Sequence, residues 1–438
     1  MQPKLLTTLR HYSTKLLLAD IIAGVTVAMV ALPLSIAIAI ASGAQPAAGL
    51  VTAVIGGLAI SLLGGSRVQI GGPTGAFIVI VYGVIQQYGV DGLLLATLMA
   101  GIILVIGGFL RAGRLIAWIP EPVIEGFTIG IAVIIAVSQL KDLFGQTVGS
   151  MPADLLHILP ALWVARGTAN PAALAIGIGA IILIFGLLKL APRLPGSIIA
   201  ISLASAVVAL LSLPVDTLFS RYGSLPNGLP MIALPQLSVD RVVELLPSAL
   251  VIAFLAGVES LLSAVVADRM IGGAHRSNAE LLAQGAANIA SPLFGGLPAT
   301  GAIARTATNV RAGGRTPIAG IVHSATILLV MIAAAPLAGF LAMPALAGLL
   351  IVTAWVMSEP HRWPERLRAP LSDRLLLLVT LALTLFSDLT VAIAVGTALG
   401  FGQRLLRRGG EPPSEWRSPE RSGAGKKKAP DTEVSGAP

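Results

Sequence analysis

A succession of long apolar runs, separated by short polar stretches, leaves this chain little choice of environment. The runs fall at approximately 20–42, 47–64, 73–88, 92–110, 121–140, 172–190, 196–213, 246–267, 280–294, 298–310, 316–335, 338–357, 373–387 and 389–406. A helix crossing the hydrocarbon layer of a bilayer needs roughly 20 apolar residues. Most of the runs come close to that length, whereas those near 73–88 and 298–310 are short. Backbone N–H and C=O groups cannot go unpaired in lipid, so the runs are expected to be helices. Composition agrees, with 55% apolar and only 11% charged residues, where a soluble domain carries roughly a quarter charged. The 48 glycines supply the small residues that closely packed helices use in lipid.

Composition and motifs also exclude other classes. No cysteine is present, which removes disulfides, thiolate metal sites and a cysteine nucleophile. The five histidines, His11, His157, His275, His323 and His361, lack metal-like spacing. No nucleophilic triad, phosphate loop or dinucleotide fingerprint appears, so no enzyme activity, cofactor or ATP-driven transport is read from the chain. The net charge of +8 does not point to nucleic acid, because the basic residues sit between apolar runs and not along one face.

Charge placement gives the orientation. With about fourteen segments and both termini cytoplasmic, the inside loops hold Lys4, Arg10, Lys15, Arg67, Arg111, Arg114, Lys189, Arg193, Arg269, Arg276, Arg311, Arg315, Arg362, Arg366, Arg368, Arg374, Arg404, Arg407 and Arg408. The outside loops hold only Lys141, Arg166, Arg221 and Arg241. Nineteen cations against four is a strong positive-inside bias. The expected organisation is a cytoplasmic amino-terminal segment at 1–17, a first seven-segment repeat at 18–213, an extracytoplasmic linker at 214–245, a second repeat at 246–408 and a disordered cytoplasmic tail at 409–438. The basic 1–17 stretch has no A-x-A cleavage pattern and reads as interfacial. Ser238-Val239-Asp240-Arg241 reads as the start of a capped interfacial helix within the linker. The tail, rich in Pro, Gly, Ser and charge, has too little apolar content with which to fold, so deleting residues 411–438 is expected to leave the function of the apolar part nearly unchanged.

The two halves resemble each other at matching places. Gly71-Gly72-Pro73-Thr74-Gly75-Ala76 opens the third segment, and Gly295-Gly296-Leu297-Pro298-Ala299-Thr300-Gly301-Ala302 opens the tenth, third of the second half. Ala23-Gly24-Val25-Thr26 in the first segment pairs with Ala256-Gly257-Val258-Glu259 in the eighth. Seven is odd, so the second half enters the membrane from the opposite side and the repeats are inverted. Gly-Gly leaves an extended backbone, Pro suits a first helical turn, and Thr can serve a helix start. Segments 3 and 10 are thus expected to be half-helices that begin in mid-membrane, with unpaired N–H groups and about half a positive charge at each end. Two such ends aimed at one point favour a small anion.

Ionisable residues inside spans are functional candidates by default. Arg305 lies one turn beyond Thr300-Gly301, and Glu259 lies mid-way along the eighth segment. The plainer alternative is a buried Glu259–Arg305 ion pair that only holds helices together. Glu259 also suits proton coupling, since a desolvated carboxyl group exchanges its proton nearer neutrality than an exposed one. Glu121 and Glu125 read as complements to a helix N-terminus. Asp20, Asp268 and Asp388 read as caps or anchors at span ends. Asn278, Glu280, Gln284 and Asn288 line one side of the ninth segment and are expected to bond neighbouring helices. His323, alone among the histidines inside a span, reads as a satisfied packing residue.

The motifs carry a family resemblance. Val68-Gln69-Ile70-Gly71-Gly72-Pro73-Thr74-Gly75-Ala76 resembles the third-helix signature of the SulP anion permeases, called solute carrier family 26 in animals. Glu259-Ser260-Leu261-Leu262-Ser263-Ala264-Val265-Val266-Ala267-Asp268 resembles that family's eighth helix, and Leu293 through Gly314 its ninth loop and tenth half-helix. The similarity runs from about residue 15 to 407. It implies an all-α polytopic fold of fourteen spans in a 7+7 inverted repeat, with a core domain of segments 1–4 and 8–11 and a gate domain of segments 5–7 and 12–14. It further implies that the core carries the anion past the gate in an elevator-like movement. Carried over by position, the anion site comprises Thr74, Gly75, Ala76, Phe77, Thr300, Gly301, Ala302, Ile303 and Arg305, with Glu259 as the proton-coupling group. Members usually end in a cytoplasmic STAS domain, whereas only about thirty residues follow the last apolar run here. Sodium-coupled bicarbonate members place Asp where Glu259 stands and a hydroxyl residue where Ile303 stands; sodium prefers small oxygen ligands, so proton coupling is the expectation.

The leading reading is therefore a proton symporter of sulfate, bicarbonate or a dicarboxylate in the cytoplasmic (inner) membrane. Its expected partners are the anion, a proton, membrane lipid and a second copy in a homodimer. An uncoupled anion channel or exchanger is the alternative. A nucleobase permease of the same architecture is disfavoured, because a neutral base does not call for the buried cation Arg305.

Overall fold

The computed structural model describes residues 2–113, 120–149, 152, 155–191, 194–387 and 389–406. Arg114, Arg193, Asp388, Arg407, Arg408 and the 409–438 tail, all named above, lie outside the described residues.

Every apolar run is occupied by helix. After the short amino-terminal helix α1 (Lys4–Thr8), the first half contains α2 (Thr14–Ala41), α3 (Pro46–Leu63), α4 (Gly75–Phe109), α5 (Glu121–Ser138), α6 (Leu155–Val164), α7 (Pro171–Leu190) and α8 (Gly196–Leu210). The second half contains α9 (Val239–Ile271), α10 (Ser277–Leu293), α11 (Ile303–Arg311), α12 (Ile318–Ala333), α13 (Met343–Met357), α14 (Leu371–Phe386) and α15 (Leu389–Leu406). Among the described residues, seven helical stretches are long and apolar enough to cross a membrane. The runs at 73–88 and 92–110 form the one helical stretch α4, bent where Gly89 adopts φ 72° and ψ 179°. Only glycine reaches that conformation without a steric penalty, so the direction change sits where the sequence interrupts the apolar run.

Two groups of helices form. In one, α10 lies along α4, α9 packs on α4, α12 runs along α2, and α10 and α12 also contact α3. In the other, α14 packs on α5, α7 on α13 and α8, and α15 on α14. The first group holds segments 1–4 and 8–11 and the second holds 5–7 and 12–14. They meet where Val123 of α5 and Leu376 of α14 bury against Val258 of α9.

Several expectations are corrected. The Ser238 hydroxyl does cap a helix, accepting from Arg241 N–H at 3.2 Å. That helix is α9 itself, however, which runs on for 33 residues through Pro247. The linker is stitched to the second half: Leu218 N–H donates to Leu341 C=O at 2.8 Å and Met343 N–H to Asp216 C=O at 2.9 Å. The 141–171 interruption contains α6, which presents Leu156, Leu159, Trp163 and Val164 outward. Glu121 and Glu125 do more than face a helix end. Glu121 accepts from Arg362 Nη2 at 2.7 Å and Glu125 from Arg366 Nε at 2.9 Å, tying α5 to the turn after α13.

Asp20 and Asp268 anchor span ends as expected. Asp20 accepts from Arg315 N–H and Thr316 N–H at 2.9 and 3.2 Å, and Asp268 accepts from His275 N–H at 2.7 Å. Glu280 and Asn288 bond neighbouring elements as expected, whereas Gln284 Nε2 donates to Glu280 of its own helix at 3.0 Å and its Oε1 has no partner among the described residues. The Asn278 side-chain oxygen is buried and has no partner among the described residues.

Candidate functional site

The two breaks that the sequence places at the starts of segments 3 and 10 meet. Gly71–Gly72 (β1) and Thr300–Gly301 (β2) pair antiparallel, with Gly71 opposite Gly301 and Gly72 opposite Thr300. Each two-residue strand is buried and satisfies the other's backbone, which would otherwise be left unpaired. Ala302 N–H donates to Ile70 C=O at 2.9 Å, and the Thr306 hydroxyl accepts from Ile70 N–H at 3.0 Å.

Side chains hold the backbone of both breaks in place. Asn288 acts as a strand surrogate: its Nδ2 donates to Ala299 C=O at 2.8 Å and its Oδ1 accepts from Ala299 N–H at 2.9 Å. Thr52 Oγ1 accepts from Leu297 N–H at 2.6 Å, and Ser291 Oγ donates to Leu297 C=O at 2.7 Å. Gln69 Nε2 donates to Ser260 Oγ at 2.8 Å, and its amide fills the space beside Gly301 that any Cβ there would occupy. The carboxylate of Glu280, 0% exposed, accepts from Gly65 N–H at 2.8 Å, Ser66 N–H at 3.1 Å and Gln284 Nε2 at 3.0 Å. Of these supports the sequence points only to Glu280, Gln284 and Asn288; Thr52, Ser291 and Ser260 carry no signal beyond a hydroxyl within an otherwise apolar run.

From the breaks, two helices start. Thr74 is the N-cap of the 3-10 turn Gly75–Phe77 that opens α4, and Ala302 is the N-cap of α11. Neither start has a side-chain cap: the Thr74 hydroxyl donates to Glu259 Oε2 at 2.9 Å, and the Thr300 hydroxyl to Ala256 C=O at 3.0 Å. Pro73 and Pro298 precede the helices and do not occupy their first turns. The N–H groups of Gly75 and Ala76 at one start, and of Ile303 to Arg305 at the other, have no intrahelical acceptor. Gly75 faces Met357 of α13 and Ile135 of α5, so the first helix start lies against the second group of helices. Phe77 is buried in the apolar core, filling space behind the turn.

Arg305 and Glu259 do not pair. Arg305 is 2% exposed, and its Nη2 donates to Ser35 Oγ of α2 at 3.1 Å. Its Nη1 lies against Gly72 and has no hydrogen-bond partner among the described residues. Glu259 is half-buried and held by Thr74. The structural ion pair considered from the sequence is thus replaced by two separate groups that border the breaks. A buried cationic N–H without an acceptor is costly, so this corner suits an anionic occupant. His323 corrects another expectation: it is 0% exposed, yet neither ring nitrogen has a partner among the described residues.

The profile of the sulfate permease family matches residues 17–380. The chain is 44% identical over 394 residues to the putative sulfate transporter YvdB of Bacillus subtilis, covering 90% of this chain and 74% of that protein. It is 32% identical over 391 residues to the bicarbonate transporter BicA of a Picosynechococcus species, covering 86% and 68%. The solved transmembrane domain of a cyanobacterial BicA superposes with a TM-score of 0.79 at 30% identity, covering 87% of this chain and 98% of that one. The structure of SLC26A9, at 19% identity, shares the fold with a TM-score of 0.84 over 92% of this chain and 68% of that one. With the matched profile spanning most of its length and both breaks inside it, the chain belongs to the sulfate permease family of anion transporters.

Proposed function

We propose that this protein is a secondary active transporter that takes up sulfate or a related anion, such as bicarbonate or a dicarboxylate, by proton symport across the cytoplasmic membrane. The observation that carries the reading is the unpaired Nη1 of buried Arg305 beside the paired breaks at Gly71–Gly72 and Thr300–Gly301. An anion bound there accepts from that N–H and from the free N–H groups of the two helix starts, a setting in which helix dipoles and the guanidinium act together. The N-terminal residues of the two helices, Thr74 to Phe77 and Thr300 to Ile303, form the backbone part of the site. Glu259 on Thr74 is the proton-coupling group. Its protonation removes a negative charge from the cavity and favours anion entry, and its deprotonation opposes it.

In this reading the chain spans the membrane fourteen times with both termini cytoplasmic, and the charge bias of its loops supports that orientation. The group containing the breaks moves past the group of α5, α7, α8 and α13 to α15, in an elevator-like cycle that exposes the anion to each side in turn. A second copy of the chain, meeting it through lipid-facing helices, completes a homodimer.

The test is uptake into proteoliposomes with a panel of labelled sulfate, bicarbonate and dicarboxylates, with and without an inward proton gradient. Accumulation of one anion that collapses with the gradient supports the reading. Equal uptake with and without the gradient, or current without proton movement, replaces symport by a channel or exchanger.

A further inference from the structure

The amino-terminal segment builds a second basic site, away from the breaks. Three ties hold it, one each to the loop that ends α3, to the residue before α10 and to α2. Lys4 N–H donates to Gly64 C=O at 2.9 Å, Arg276 Nη1 donates to Gln2 C=O at 2.7 Å, and the Tyr12 hydroxyl donates to Asp20 Oδ2 at 3.0 Å. The Tyr12 phenol is pushed up to about 12 by burial and by the Asp20 carboxylate beside it, so the donated proton stays in place at physiological pH.

Beneath these ties lies a cavity of about 270 Å³, lined by Lys4, Thr7, Thr8, Leu16 and Arg67. That volume is near the lower end, about 300 Å³, of the clefts that hold small ligands. The threonine hydroxyls donate to Lys4 C=O at 3.0 and 2.8 Å, so attraction in the cavity comes from the two cations. Arg67 is exposed and forms no salt bridge among the described residues. Beside the cavity, Leu6 is 59% and Leu9 46% exposed, an apolar rim of the kind that a helix lying in a membrane interface presents.

We propose that this cavity binds the phosphate of an anionic lipid headgroup, held between Lys4 and Arg67 while Leu6 and Leu9 enter the acyl boundary. Two cations beside a hollow of mixed polar and apolar lining, at the end of membrane-crossing helices, match the chemistry of an anionic headgroup and not of a zwitterionic one. The inference rests on the chain spanning the membrane and is independent of which anion it carries. Occupancy bears on the transport site through the backbone. Gly65 and Ser66 N–H donate to Glu280, and Arg67 leads directly into Val68, whose C=O accepts from Asn309 Nδ2 at 2.8 Å, and on to the first break. A filled cavity steadies that approach.

The experiment is native mass spectrometry of the purified protein in detergent, titrated separately with phosphatidylglycerol, phosphatidylcholine and inorganic phosphate. Variants are Arg67→Ala and Lys4→Ala, with Arg368→Ala, an exposed cation at the end of the short helix Trp363–Arg368, as the control. Retention of phosphatidylglycerol is expected to weaken about fivefold for each cavity cation removed and to stay unchanged in Arg368→Ala. Phosphatidylcholine is expected to bind weakly to all four proteins. Competition by inorganic phosphate with the same variant dependence supports the phosphate chemistry and shows that a soluble ion can use it. Absence of competition supports the lipid as the source. Equal retention of phosphatidylglycerol by wild type, Arg67→Ala and Lys4→Ala overturns the site. Because binding is read without transport, this outcome is separate from any failure of the uptake assay.

Discussion

Gly72 and Arg305 are fitted to each other. Gly72 sits at φ +149°, and a Cβ there would overlap the Arg305 guanidinium. Gly72→Ala is therefore expected to displace the cation and strain the break, losing most uptake and lowering stability by about 1–3 kcal/mol. Uptake and thermal melting of the purified variant check this together, and a variant with both unchanged contradicts the fit. Glu259, the proposed proton-coupling group, is bonded to Thr74 and forms no salt bridge with Arg305. Glu259→Gln copies the protonated form in shape and charge. It is expected to keep equilibrium anion exchange and to lose accumulation driven by an imposed pH step. Accumulation with wild-type pH dependence would make Glu259 a structural residue.

At the scale of elements, the breaks are held by side chains from other helices, and this can be tested away from the anion. Asn288→Ala strands the Ala299 N–H and C=O, which lie in a buried loop. A buried polar group left unpaired costs about 1–3 kcal/mol. The variant is expected to melt earlier and to transport more slowly, while an unchanged melting curve argues against the scaffold role. The helical runs and both breaks could be read from the chain, because hydropathy and Gly-Gly-Pro punctuation are local signals. What the breaks pair with could not be read so directly. Thr52 reaches Leu297 across 245 positions and Ser35 reaches Arg305 across 270, separations that leave no periodic trace. The interfacial helix expected before α9 is absent for a related reason. Ser238-Val239-Asp240-Arg241 marks a true helix start, but packing of α9 on α4 carries that one helix through Pro247 to Ile271. For His323 the sequence suggests a satisfied packing residue, because a single residue in an apolar run does not announce which partners its neighbours withhold.

At the scale of the whole molecule, transport by an elevator-like cycle requires the two helix groups to slide past each other. The chain has no cysteine, so a pair can be introduced on a silent background. Val123→Cys with Val258→Cys joins the groups where they bury against each other. Oxidation or a short bifunctional thiol reagent is expected to stop uptake, and reduction to restore it. Uptake that survives a complete cross-link would mean the groups need not move. The central claim is narrower: one buried cation, set beside the paired breaks of the two halves, holds the transported anion. Equilibrium binding of a labelled transported anion to purified wild type and Arg305→Ala tests it most directly, with melting curves confirming that both are folded. Removing a charged hydrogen-bond donor costs about 1.5–3 kcal/mol, so affinity is expected to fall by about tenfold or more. Binding of wild-type strength by the folded variant would contradict the account.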